Sequence, residues 1–411
     1  MHPNHHPTDP SDQTDGSDQS DQSDRPGVRR APFSVDFAQA PLLVIWEVTR
    51  ACALACRHCR ASAIDWRDPR ELSLDEGKAL LDEIKTMGTP IVVLTGGDPI
   101  QRDDLEDLIA HGKSLGLRMG TIPAGTPRLT RERLASLKAA GIDQVAFSLD
   151  APTATQHDDF RRVPGSFDLT LQGARWAREL GIPLQINTVL CRNNIGQFDE
   201  IAALVSSLDI VFWEVFFLVP TGRGSELQGC NAEETEALFA KLHALSKTAP
   251  YVIKVTEAQH YRRHLLQHKK ETPHSPGVSL SNPAPETRHS SLETRHSPHS
   301  SLDTRNSSLA IAPIPASQKV VNAGNGFCFV DHTGDICPSG FLATVRGNVR
   351  THSITQVYRQ DELFRDLRNP RKLKGKCGRC EYRAVCGGSR SRANSVYGDP
   401  FAEEPTCILE R

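Results

Sequence analysis

No stretch of the 411-residue sequence is apolar over the ~20 residues that a bilayer-spanning helix needs. The N-terminus, Met1-His2-Pro3-Asn4, runs on in polar residues and lacks the basic start and apolar core of a secretion signal. A cytoplasmic location and no membrane partner are therefore expected. Net charge is nearly absent, at −2, so no overall field draws the chain to nucleic acid. Cysteine, by contrast, occurs eleven times. Thiols in a reducing compartment stay free of disulfides, so these are read by their spacing as metal ligands. With 38% hydrophobic residues the chain can build a substantial core. Its length suits two or three domains of roughly 150 residues each.

Two tracts interrupt the chain. From Asp9 to Asp24 an Asp falls at every third position among Ser, Gln and Thr, a composition that cannot bury enough surface to offset the entropy of ordering. Residues 1–32 are expected to be a disordered polar tail, with His2, His5 and His6 a solvated part of it rather than a metal site. The second tract, at about 271–317, carries Glu-Thr-Arg-His-Ser at Glu286 and Glu293 and, as Asp-Thr-Arg-Asn-Ser, at Asp303. Those intervals match no solenoid period. Residues 266–318 are expected to be a linker or insertion between a domain at 33–265 and a second at 319–411.

Apolar runs of strand length recur between the tracts: Leu42–Val48, Ile91–Thr95, Leu117–Ile122, Gln144–Leu149, Leu184–Leu190 and Val211–Val219. Such near-continuous hydrophobicity fits parallel strands covered by helices. One helix is signalled by a Ser73/Glu76 capping box, by Leu80, Ile84 and Met87 at helical spacing, and by Gly88 as its stop. Another lies between Ser166 and Gly181, with Phe167, Leu171, Ala174 and Ala177 on one side. Six strand–helix units predict an α/β fold, a partial (β/α)6 barrel short of the usual eight units. Its reactive groups belong at the C-terminal ends of the strands.

Directly after the first strand stands Cys52-Ala53-Leu54-Ala55-Cys56-Arg57-His58-Cys59. Three thiolates in a C-x3-C-x2-C loop can ligate three irons of a cubane, whereas a self-contained [4Fe–4S] cluster takes four. The fourth iron keeps an open position at which a small molecule can chelate. Zinc is the competing reading, but three cysteines are one ligand short of a closed structural site. The second strand ends in Thr95-Gly96-Gly97-Asp98-Pro99. Glycines there let main chain approach a ligand, and a carboxylate can accept a bond from an ammonium group.

In this arrangement the cysteine loop resembles the signature of the radical S-adenosylmethionine (SAM) superfamily, with His58 where many members carry Tyr or Phe. The resemblance implies a [4Fe–4S] cluster on Cys52, Cys56 and Cys59, with SAM bound to the open iron through its amino and carboxylate groups. The second-strand motif resembles the family's Gly-Gly-Glu, Asp98 replacing Glu, which implies that Gly96, Gly97 and Asp98 meet the SAM amino group. By the same resemblance Ser148, Asp150 and Asn187, with the loop Pro220-Thr221-Gly222-Arg223-Gly224, lie by the SAM ribose, carboxylate and sulfonium. Arg162 is expected to pair with the SAM carboxylate. Asp150 reads alternatively as a helix or turn cap, and Arg162 as an exposed surface charge.

Beyond the second tract, Cys377, Cys380, Cys386 and Cys407 can close a site for either [4Fe–4S] or zinc. The context from Cys380 to Gly388 resembles the SPASM domain that follows many radical SAM barrels, which implies an auxiliary [4Fe–4S] cluster. Arg390 stands where the fullest form of that pattern has a further cysteine, so one auxiliary cluster is expected. Cys328 and Cys337 read as buried thiols or as candidate ligands of a further cluster, two thiols being short of four, and Cys191 and Cys230 as packing residues. Arg371, Lys372, Lys374, Lys376 and Arg379 either offset the cluster's charge or form a solvated basic face.

The implied activity is reductive cleavage of SAM to a 5′-deoxyadenosyl radical that takes hydrogen from a small-molecule or peptide substrate. A low-potential donor such as ferredoxin or flavodoxin would feed it. The stretch from Cys386 to Ala393, Cys-Gly-Gly-x-Arg-x-Arg-Ala, is similar to proteins that modify haem precursors and to cofactor or peptide maturases. A polar tail stands where peptide maturases often carry a folded leader-binding domain, so the reading leans to a tetrapyrrole or other cofactor precursor. A peptide maturase and a non-catalytic iron–sulfur carrier are the alternatives, and a carrier has no use for an open iron. Glu257, His260, Tyr261, Arg262 and Arg263 either hold substrate carboxylates or end a solvated helix.

Overall fold

The computed structural model describes residues 35–269 and 321–410. The tail expected at 1–32, and the linker expected at 266–318 beyond Lys269, lie outside the described residues. Seven strands follow one another in chain order, all parallel: β1 Leu43–Thr49, β2 Ile91–Gly96, β3 Arg118–Thr121, β4 Gln144–Ser148, β5 Leu184–Leu190, β6 Phe212–Phe217 and β7 Val252–Thr256. Between them run α1 Leu74–Met87, α2 Leu105–Ser114, α3 Arg131–Ala139, α4 Ala154–Arg161, α5 Ser166–Glu179, α6 Phe198–Ser206 and α7 Ala232–Ser246, with α8 Tyr261–Lys269 after β7. The six expected strands are present. The seventh is an addition, because Val-Ile-Lys-Val-Thr is a half-buried edge strand without a continuous apolar run.

The C-terminal segment adds its strands to the same sheet. It contributes β8 Phe327–Val330, β9 Asp335–Cys337, β10 Gly347–Asn348, and helices α9 Ile354–Gln360, α10 Glu362–Leu367, α11 Gly375–Arg379 and α12 Arg390–Tyr397. Strand β8 pairs in parallel with β1, Leu43 opposite Phe327, and β9 and β10 follow antiparallel. The result is one open ten-stranded sheet ordered β10-β9-β8-β1-β2-β3-β4-β5-β6-β7. The low-complexity tract marks a change of composition, not a break in the sheet.

Alternation along β1 sorts its side chains. Val44, Trp46 and Val48 are wholly buried in the layer shared with the helices, and Gly77 of α1 leaves the space that the Trp46 ring fills. A buried side chain of this size contributes about 1.5–3 kcal/mol. Leu43 and Ile45 point the other way, into the lumen. Helix α1 starts with the expected capping box, Glu76 N–H donating to Ser73 Oγ at 3.2 Å and Ser73 N–H to the Glu76 carboxylate at 2.8 Å, and ends at Gly88 with φ +97°.

Candidate functional site

The loop that leaves β1 closes on itself. Cys52 N–H donates to the Ile64 carbonyl at 2.8 Å, Ile64 N–H returns to Arg50 at 3.1 Å, and the Arg50 guanidinium holds the carbonyls of Ala61 and Ser62. The end of α4 docks on it through the Phe160 carbonyl, 2.9 Å from Arg57 N. After β6, Arg223 donates to the Cys56 carbonyl at 2.9 Å, and Gly222, at φ +54°, sits where a Cβ would overlap the Arg60 carbonyl. Held this way, Cys52, Cys56 and Cys59 face one cavity of about 220 Å³ at the C-terminal ends of the strands.

Donors point at each of these sulfurs: Leu54 N–H at Cys52 (3.3 Å), Ala63 N–H at Cys59 (3.4 Å) and Arg161 Nη1 at Cys56 (3.5 Å). Burial pushes the Cys52 thiol up to about 12 and raises Cys56 as well, although Arg161 opposes the latter. Such thiols give up their protons to a metal rather than to water. Hydrogen bonds to sulfur are also what tunes the thiolates of an iron–sulfur cluster.

Gly96 and Gly97 line the same cavity, but their missing side chains serve the protein's own packing. A Cβ at Gly96 would overlap the Thr49 carbonyl, and one at Gly97 the Ala51 carbonyl. Main chain therefore lies on main chain, with Gly97 N–H 2.8 Å from Thr49 O and Asp98 N–H 2.7 Å from Ala51 O. Asp98 departs from expectation. It is fully buried, does not line the cavity, and accepts from Ala124 N–H (3.1 Å) and Thr126 Oγ1 (2.9 Å), so it ties the β2 loop to the loop after β3.

Ser148 and Asn187 stand opposite one another in the β4–β5 register and both line the cavity. The Asn187 side-chain carbonyl accepts from Gln185 at 2.7 Å. Asp150 also lines it, yet its carboxylate is committed, accepting from Val189 N–H at 2.8 Å and pairing with Arg161. Burial pushes the Asp150 carboxyl up, and Arg161 more than offsets this, leaving it below the usual carboxylate range. Arg162 lies at the surface. It adopts φ +58° at the end of α4, its side chain is 42% exposed, and it stands 4.0 Å from the Glu226 carboxylate. The buried Arg161 lines the cavity instead. His58 stacks on Phe160 with ring centroids 4.7 Å apart, and burial, then Arg161, hold it down at about 4, so it is neutral at pH 7.

Cys377, Cys380, Cys386 and Cys407 line one small second cavity. Glu404 N–H donates to Cys377 Sγ at 3.2 Å, Tyr382 N–H to Cys380 and Gly388 N–H to Cys386, both at 3.4 Å. Four thiols lining one cavity can close a site for either [4Fe–4S] or zinc. Arg390 takes the place of the absent cysteine, 4.0 Å from Cys377 Sγ, and donates to the carbonyls of Pro400 and Ala402. Of the five basic residues expected nearby, only Lys376 lines this cavity; Lys372 and Lys374 pair with Asp366 and Asp399. Cys191, Cys230, Cys328 and Cys337 are buried and line neither cysteine cavity.

The segment from Glu257 to Arg263 is mostly buried, with Gln259 and Arg262 half-buried. Glu257, His260, Tyr261 and Arg263 are buried, Glu257 accepting from the hydroxyls of Ser389 and Ser391 and Arg263 pairing with Glu236. His260 and Arg263 line the four-cysteine cavity.

Residues 46–205 match the Radical SAM superfamily. Over 91% of this chain and 89% of the relative, the sequence is 37% identical to the AdoMet-dependent heme synthase of Oleidesulfovibrio alaskensis. It is 40% identical to the AdoMet-dependent heme synthase of Nitratidesulfovibrio vulgaris over 89% of this chain and 91% of that one. The chain belongs to the radical SAM superfamily. Its fold is shared with Streptococcus suis SuiB bound to S-adenosylmethionine, at a TM-score of 0.65 and 16% identity over 90% of this chain and 78% of that chain.

A radical SAM enzyme takes a [4Fe–4S] cluster and SAM, and the donors on the first cavity fit both. Three thiols are met by hydrogen bonds, and polar Ser148 and Asn187 line the same space. Sequence reasoning missed Arg161; it singled out the loop that holds Arg223 but not the bond from Arg223 to the Cys56 carbonyl. Arg223 sits in a Gly-Arg-Gly triplet whose first glycine is a steric necessity, a signal open to reading. Nothing local distinguishes Arg161 from Arg162; only the end of α4 decides which one turns inward.

Proposed function

We propose that Cys52, Cys56 and Cys59 hold the SAM-cleaving cluster, that Cys377, Cys380, Cys386 and Cys407 hold an auxiliary [4Fe–4S] cluster, and that the substrate is a tetrapyrrole, a haem precursor. With cluster and SAM bound, one-electron reduction yields a 5′-deoxyadenosyl radical able to take hydrogen from carbon. The protein positions, dries and encloses that chemistry. Ser148 and Asn187 offer polar groups to SAM across the cavity, and Arg161, neutralised by Asp150, braces Cys56.

The observation that carries the substrate reading is likeness to AdoMet-dependent heme synthases over nine-tenths of the chain. The lumen supports it. A further cavity of about 300 Å³ shares Arg60, Thr95 and Phe216 with the first, and Phe212, Phe327, Phe329 and Phe341 furnish aromatic walls. Arg60, stacked 4.7 Å over Phe329 and paired with Glu47, and Lys254, paired with Glu214 at 2.7 Å, supply cations. Flat aromatic surface with placed cations suits a conjugated macrocycle bearing carboxylates. The electron donor in this reading is a low-potential carrier such as ferredoxin or flavodoxin, and the exposed Arg371 and Arg379 offer an acidic partner complementary charge.

The test is anaerobic reconstitution with iron and sulfide, then SAM, reductant and a panel of iron tetrapyrrole carboxylic acids deuterated on their side chains. The expected result is deuterium in 5′-deoxyadenosine and a changed tetrapyrrole mass. SAM cleavage that draws no deuterium from any tetrapyrrole overturns the substrate, while leaving the radical chemistry intact.

A further inference from the structure

The Cys386–Ala393 motif carries two arginines, and both are buried, Arg390 at 2% and Arg392 at 4% exposure. A buried guanidinium persists only where its donors are met. Those of Arg392 are met across the molecule. Nη2 donates to the Phe217 carbonyl at 3.1 Å and Nε to the Leu218 carbonyl at 3.3 Å, and these two residues line the SAM cavity at the end of β6. Nη1 donates to the Glu404 carboxylate at 3.1 Å. Glu404 is fully buried, and its own N–H donates to Cys377 Sγ at 3.2 Å. Its second carboxylate oxygen accepts from Ser389 N–H at 2.6 Å, and the Ser389 hydroxyl donates in turn to Glu257 after β7. One unbroken line of bonds therefore joins a thiol of the four-cysteine site to the main chain of the SAM cavity wall.

We propose that Arg392 is a positioning residue that ties the shape of the SAM cavity to the filling of the four-cysteine site, so that SAM binding and auxiliary-cluster loading are thermodynamically coupled. This rests on the reading of Cys377, Cys380, Cys386 and Cys407 as ligands of that cluster. Ligation fixes Cys377 and, through it, the Glu404 main chain. The Glu404 carboxylate then fixes Arg392, and Arg392 holds the two carbonyls at the end of β6. Released from either end, that wall relaxes and SAM loses part of a preformed surface. Linkage makes the effect reciprocal, so SAM stabilises the loaded auxiliary site by the same factor.

The test measures SAM affinity by anaerobic equilibrium dialysis on the full-length reconstituted protein, for wild type, Arg392→Gln, Cys407→Ala and the double variant. Each single variant is expected to bind SAM about tenfold more weakly, within the usual range of such couplings. The double variant is expected to be no weaker than either single one, because both cut the same line. Arg392→Lys, which keeps the charge but cannot span three acceptors, is expected to fall between. Wild-type affinity in Arg392→Gln, or losses that multiply in the double variant, overturns the coupling. Iron counting separates the two readings. It is done on Cys380→Ala/Cys407→Ala as well, which leaves only two thiols: full iron there refutes the cluster assignment, whereas loss of about four irons with unchanged SAM affinity refutes the coupling. If Arg392→Gln loses iron from both sites through misfolding, Arg392→Lys decides, and wild-type affinity there overturns the proposal.

Discussion

Replacing Asp150 by Asn keeps the shape of the side chain and an acceptor for Val189 N–H, but removes the charge that faces Arg161. Both groups are buried, Asp150 at 1% and Arg161 at 7% exposure, so solvent cannot compensate. Breaking a buried pair by deleting one partner costs about 3–5 kcal/mol, because the remaining charge stays desolvated. The retained acceptor keeps the loss near the lower end, at about 3 kcal/mol. At a urea slope of roughly 2–3 kcal/mol/M, the unfolding midpoint of the cluster-free protein falls by roughly 1–1.5 M, read by circular dichroism. Arg161→Met in the same chain removes the orphaned charge, and replacing both partners by uncharged groups is close to neutral. The double variant should therefore recover most of the lost midpoint. An unchanged midpoint in Asp150→Asn, or a double variant no more stable than the single one, would refute the reasoning.

Four further outcomes follow from the geometry. Arg161→Ala abolishes SAM cleavage by removing the donor beside Cys56, whereas Arg162→Ala leaves the rate of 5′-deoxyadenosine formation near wild type; equal losses would count against the inward placement of Arg161. Gly96→Ala, which drives a methyl into the Thr49 carbonyl, costs about 1–3 kcal/mol or more and lowers retained iron, and a variant that keeps its iron and its unfolding midpoint contradicts the packing. Cys52→Ala eliminates SAM cleavage and roughly halves an iron content of about eight per chain, the remainder belonging to the other cysteine set. His157 is held down at about 4 by burial and then by Arg161. In the unfolded chain it takes a proton near about 6.5. Its contribution to stability is thus full above that value and is lost as pH falls toward about 4. His157→Gln should flatten the stability profile across that window, and an unchanged slope would show that His157 is not its source.

Much of the architecture was legible because its signals are local. The Ser73/Glu76 box, Gly88 and the six apolar runs lie within single elements, where side-chain spacing and capping chemistry decide the outcome. The cysteine loop was legible for a similar reason: three thiols within eight residues are a constellation before any folding occurs. Asp98 and Arg162 were not, since whether a polar side chain turns toward a cavity depends on partners such as Ala124, Thr126 and Glu226 that sequence distance hides. The joining of β8 to β1 was hidden in the same way, because Leu43 and Phe327 are paired by main chain alone, which carries no residue code.

By itself the sequence determined the class of chemistry, since an incomplete ring of thiolates beside a glycine pair specifies a cluster with one position to spare. It also determined the order of the parallel strands, because each apolar run follows its own helix. Tertiary structure alone decided which arginine supports Cys56, why two glycines are required, and that Glu404 and Arg392 link Cys377 to the main chain at the end of β6. Those outcomes rest on buried charges and close main-chain approaches between segments far apart in the chain, and such contacts acquire their energy only once water has been excluded around them.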